Sequence, residues 1–328
     1  MEIASNNQNS INQNCEKKKR ILPEKTKKLL FFICIAAPFI LQVLIFYVYV
    51  NFSNILQAFL EYENPSGVGY VSHFAGFKNF AYVLETLFAP ENVGMFGVSL
   101  LMYVFTSCLA TPVSIIFSFY VYKKYFLSEF FRVILFFPQI ISTVIMSSLY
   151  SYMVGEIYMM LTGAESSLLS LSNEPITVVL TVIAYALWMG FGANILLASG
   201  AMSGINESVV ESCHLDGCNT VQEFIFITLP SIFPTIITFI VVDLAAILTN
   251  QMHLYTFFGQ NVTNSNMRSL GYYLYVQTVH SPGLSQNDSA LYLTYPQISA
   301  MGVLMTLVVL PLTLTVRRLL EKFGPSEN

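Results

Sequence analysis

The sequence predicts an all-α fold, a polytopic membrane bundle of six transmembrane helices. The first observation is composition: of 328 residues, 55% are hydrophobic and only 10% charged, whereas a soluble domain carries about 25% charged residues. Such a chain must cover most of its surface with lipid or partner subunits. Its 27 Phe and 19 Tyr suit broad apolar faces with Tyr near the interfaces. The second observation is pattern. Six apolar stretches, residues 29–50, 95–121, 133–154, 176–199, 231–249 and 297–316, are long enough for a hydrocarbon core that takes about 20 helical residues to cross. These runs are continuous, unlike the alternating strands of a β-barrel.

Residues 1–28 are polar, then basic, and lack the apolar core and cleavage site of a secretion leader. They read as a disordered cytoplasmic tail that touches anionic membrane lipid, with no nucleic-acid role. The first stretch is then a permanent helix, and residues 29–320 form one transmembrane domain. Pro38, Pro112, Pro138, Pro234 and Pro311 fall inside stretches, where neighbouring helices can re-satisfy the freed carbonyls. Asp243 in the fifth is the only acidic residue within any of them.

Orientation follows from the basic residues. Thirteen of the 15 Lys and Arg lie in the N-terminal tail, the second-to-third connection (Lys123, Lys124, Arg132) and the C-terminal end (Arg317, Arg318, Lys322). The positive-inside rule therefore puts both termini in the cytoplasm, the last tail being residues 321–328. By parity the connection 200–230 is also inside, although it contains no Lys or Arg. Residues 51–94 and 250–296 fall outside, where they either cap the bundle or receive an extracellular partner. Cys213 and Cys218 face the cytoplasm, where thiols stay reduced. Their spacing, and that of the four histidines, matches no metal site.

The segment 207–230 stands apart as a polar insert between spans. Asn206 caps a short helix, Asp216-Gly217 breaks it, and a second helix is expected from Asn219 or Thr220 to about Thr228, ending before Pro230. Phe224, Ile227 and Phe226 are candidates to pack onto the bundle, while small Ser212 and Cys213 allow a partner to approach closely. Without a partner, the same segment would be a plain interfacial connector.

Glu211, Gly217, Ile227, Leu229 and Pro230, with Asp216 before the glycine, resemble the EAA loop of binding-protein-dependent ABC importer permeases. Ser212 and Cys213 stand where that loop has two alanines. Gly76-Phe77-Lys78-Asn79-Phe80 and Phe131-Arg132 with Phe136-Phe137-Pro138 are similar to further elements of the carbohydrate-uptake branch, the maltose and glycerol-3-phosphate type. The Gly-Gly-Pro of that branch is missing, and Gly259 stands alone in its region.

The resemblance implies a type I importer permease fold in a bacterial plasma membrane. It implies a second homologous permease as heterodimer partner, a cytoplasmic ATPase dimer gripping 207–230, and an extracellular solute-binding protein. ATP and Mg would sit in the ATPase, with no cofactor on this chain. The sequence agrees with that division: it contains no phosphate-binding G-x-x-x-x-G-K-[ST] loop and no catalytic motif, so the chain reads as a transporter subunit, not an enzyme.

For the solute, helical spacing puts Asp243 and Asn250 on one face with Gln251 adjacent. The preceding span offers Trp188, Gly190 and Asn194. Asp243 has two readings, a solute contact or a structural bond to the second permease. Trp188 is either a stacking surface or ordinary packing. Two other functional classes stay open: a secondary transporter or channel driven by an ion gradient with Asp243 as the ion site, and a membrane sensor or scaffold using 207–229 to bind a signalling protein.

Overall fold

The computed structural model describes residues 24–63, 70–284 and 292–325. The chain divides into two units, residues 1–54 and 55–328.

The first unit contains most of helix α1, Glu24–Gln57. Glu24 in its first turn favours the helix dipole. The apolar side chains along the expected span are exposed, as suits a surface whose solvent is lipid. Residues 24–28, expected to be part of a disordered tail, belong to this helix; the rest of that tail lies outside the described residues.

The second unit starts with an antiparallel strand pair, β1 (Leu60–Glu63) and β2 (Val71–Phe74), in which Leu60 faces Phe74. Helix α2, Lys78–Phe88, is tied to it by the buried Asn79, whose Nδ2 donates to the carbonyls of Ala58 (2.9 Å) and Leu60 (2.8 Å). Helix α3 runs from Gly94 to Tyr122. Its middle, Thr106–Ala110, widens into π-type turns just before Pro112. A proline has no N–H to offer and crowds the carbonyl one turn back, and a wider turn relieves both problems.

The third predicted span, 133–154, is not one helix. Helix α4 (Ser128–Ile140) stops two residues short of α5 (Thr143–Thr162), with Ile141 and Ser142 extended between them. Pro138 withdraws a ladder donor near the end of α4, and Gln139 Nε2 donates across to Met189 O at 2.8 Å. Helix α6, Pro175–Met202, is the centre of the unit and packs against α3 and α4. It buries Val178, Val182, Ile183, Tyr185 and Ile195. Side chains of this size stabilise by about 1.5–3 kcal/mol each when fully buried.

Helices α7 (Glu207–Leu215) and α8 (Thr220–Ser231) precede α9 (Phe233–Ala245), with a 66° bend between α8 and α9. The fifth predicted span, 231–249, is therefore shorter than expected. After α9 come short α10 (Leu254–Phe258), α11 (Leu270–Val279) and long α12 (Tyr295–Phe323), which packs on α9 and α2. Among the described residues, five helices are long and apolar enough to cross a membrane, or six if α8 with α9 is one broken span.

Candidate functional site

Two regions of the second unit hold the predicted residues. The first is α7–α8. Asn206 caps α7, its side chain accepting from Ser208 N at 3.1 Å. The helix breaks at Asp216-Gly217: Asp216 N meets Ser212 O, Gly217 N meets His214 O, and Gly217 takes φ +81°, a conformation that L side chains resist. Asn219 opens α8 with a capping box, exchanging bonds of 2.8 and 2.9 Å with Gln222.

Two expectations change here. Helix α8 does not stop before Pro230; it widens over Phe224–Thr228 and continues through the proline to Ser231. Cys213 is buried beside Cys218, their Cα atoms 5.4 Å apart, instead of lying open to the close approach of a partner. The tight turn brings the two residues within bonding range. Glu211, Ser212, Asp216 and Gly217 are exposed, whereas Ile227, Leu229 and Pro230 are half-buried. Phe224 and Leu229 pack onto Phe119, Met202 and Ile232, while Phe226 stays exposed.

Sequence reasoning missed Glu223. It is 0% exposed, paired through Oε1 with Lys123 Nζ at the end of α3 and through Oε2 with His214 Nε2 at 3.3 Å. The only advance signal is a carboxylate on the face of α8 that turns towards the bundle.

The second region is a cavity of about 540 Å³ between α3, α4, α6 and the end of α9. Asp243, Asn250, Asn194 and Gly190 all line it, joined by Thr106, Gln139 and His253. The reason for the Asp243–Asn250 pairing differs from the one expected. The helix ends at Ala245, and Asn250 arrives through consecutive turns, with its N–H on Ala246 O at 2.8 Å. That turn is clamped by α11. Ser269 Oγ donates to Asn250 O at 3.1 Å, and a Cβ on Gly271 would fall 2.5 Å from the same carbonyl.

Trp188 and Gln251 are not on this wall. Trp188 packs with Tyr150 and Tyr185, and Gln251 Oε1 is buried without a partner. Asp243 has no hydrogen-bond or ion partner among the described residues. A carboxylate, three amides and an imidazole on one wall suit a neutral polyhydroxylated solute better than an anion.

A further cavity of about 600 Å³, also missed, lies beside α2 and α11, walled by Tyr82, Glu85, Arg268, Tyr272, Tyr273 and Tyr292. Arg268 Nη2 donates to Asn92 Oδ1 at 2.7 Å, and its guanidinium lies 5.3 Å from the Tyr273 ring. Burial works against the Arg268 charge, while Tyr273, Tyr272 and Glu91 favour it.

The arabinooligosaccharides transport system permease protein AraP of Bacillus subtilis is 24% identical over 88% of this chain and 87% of its own length. The multiple sugar-binding transport system permease protein MsmF of Streptococcus mutans is 26% identical over 73% of this chain and 80% of its own. Among solved structures, a chain of a bacterial ABC transporter involved in the import of the acidic polysaccharide alginate shares the fold. Its TM-score is 0.70 at 18% identity, covering 93% of this chain and 99% of that one. Residues 110–326 match the family described as binding-protein-dependent transport system inner membrane component. With about two thirds of its length in that match, the chain belongs to this family and is a multi-pass membrane transport subunit.

Proposed function

We propose that this chain is one permease subunit of an ATP-driven importer for a sugar or related solute, working by alternating access. Both termini face the cytoplasm, and a second homologous permease completes the pathway. An ATPase dimer grips the 207–230 segment, and an extracellular binding protein delivers solute. The sugar-permease names of the relatives and the carboxylate and amides lining the α6–α9 cavity support the solute class.

The observation that carries the ATP coupling is the folded state of the motif. Glu211, Ser212, Asp216 and Gly217 stand exposed on one side of a capped helix pair, while Phe224 and Leu229 fasten its other side to the bundle. Such a pair can be gripped from outside and can transmit force inward. Gly217 has open space where a Cβ would go but a φ of +81°, so Gly217→Leu strains the turn without a clash. Replacing it should abolish solute uptake while leaving the amount of protein in the membrane unchanged. Uptake at the wild-type rate would sink the assignment.

A further inference from the structure

Glu223 is not among the motif positions, yet it is the only acidic or basic side chain fully buried among the described residues. A charge withdrawn from water is tolerated only when paired, and breaking such a pair leaves the remaining charge exposed to a low dielectric. Three helices meet on this carboxylate: α8 supplies it, α3 supplies Lys123 and the last turn of α7 supplies His214. Next to it, the Phe224 and Phe119 rings pack with centroids 4.9 Å apart, locking α8 to α3. Lys123 Nζ also lies within 6 Å of the Phe119 and Tyr122 rings, at 5.8 and 5.7 Å, where a cation is attracted to the ring face.

From this joint, α3 leads to the solute cavity. Its widened stretch carries Thr106 and Ala110 on the cavity wall, and its start takes Leu270 N on Ser99 Oγ at 2.9 Å. The covalent route from α8 to α9 passes instead through a 66° bend, which can flex and absorb motion. We propose that Glu223 is a positioning residue of the transport cycle, joining the α7–α8 pair to α3 so that movement of the pair reaches the cavity wall at Thr106–Ala110. This rests on the ATP-coupled reading above.

The test uses the whole importer in proteoliposomes, following phosphate release from ATP together with uptake of tritiated malto- and arabino-oligosaccharides. Glu223→Gln keeps the shape and removes the charge. Uptake per ATP hydrolysed should fall about tenfold while hydrolysis itself changes by less than about twofold. Lys123→Met should behave alike, Lys123→Arg should retain coupling, and the double variant should be no worse than either single, as for two members of one interaction. A solute-free readout is the reactivity of T106C, with the native Cys15, Cys34, Cys108, Cys213 and Cys218 replaced by Ser, towards a water-soluble maleimide. ATP with vanadate should change it in the parent and not in Glu223→Gln.

Wild-type uptake per ATP, or single losses that multiply in the double variant, would overturn the proposal. So would a parallel fall of hydrolysis, uptake and assembled complex, which is what a mere stability brace produces. Gly217→Leu separates the two levels. If it leaves uptake intact, the ATP reading fails; if it abolishes uptake while Glu223→Gln is normal, only the role of Glu223 falls.

Discussion

His253 holds a left-handed backbone, φ +62°, on the cavity wall, its ring edge-on to Tyr185 with centroids 5.3 Å apart. Burial pushes the imidazole pKa below its usual 6.5. Just under that value the unfolded chain binds a proton that the folded chain refuses, so stability rises with pH through the window and is lost as pH falls. The thermal unfolding midpoint of purified protein should therefore drop between about pH 7 and about pH 5. His253→Asn, which accepts the same backbone, should flatten that drop, and an unchanged slope would remove His253 from the explanation. Nothing in the sequence marked this residue, because its burial depends on Tyr185 from another helix. Asp243 was visible as a lone acid in an apolar run. Its neighbour Asn250 was paired with it for the wrong reason, since a helical count assumed regular structure beyond Ala245.

At the scale of elements, capping chemistry was legible and proline behaviour was not. Asn206 and Asn219 cap α7 and α8 as their side chains suggest. Losing such a cap costs about 1 kcal/mol, so Asn219→Ala should speed hydrogen exchange at the first amides of α8 about fivefold. Exchange at the parent rate would mean that packing at Phe224, and not the cap, holds the helix start. Pro230 was expected to end α8, but widened turns over Phe224–Thr228 carry the helix through it. A hydropathy pattern cannot see this, nor can it see the break at Ile141–Ser142, because both sides of each break are equally apolar.

At the scale of the molecule, the low charge and the six apolar stretches were enough to foretell a polytopic bundle, and the Glu211–Pro230 pattern its family. The Glu223 joint escaped notice because Lys123 lies on a helix remote in sequence. The tyrosine-walled cavity escaped because α2 and α11 meet only in the folded state. A protonophore applied at constant ATP should leave uptake by the reconstituted importer unchanged, whereas an ion-coupled transporter using Asp243 would stop.

The brevity of α9 reaches further than its place in the fold. Thirteen residues rise about 20 Å, whereas the oily interior of a bilayer is about 30 Å thick. Along this crossing, the end of α8 before the bend and the turns from Ala246 to Asn250 share the remaining depth, and unpaired peptide groups in those turns cannot face lipid tails. The turn's own bonds, Ile247 N–H on Leu244 O and the N–H groups of Thr249 and Asn250 on Ala246 O, meet part of this demand, and water in the pocket bordered by Asp243 and Asn250 would meet the rest. The bundle would then carry a hydrated notch at membrane depth even at rest, and an arriving sugar would exchange one hydroxyl-rich shell for another instead of entering oil.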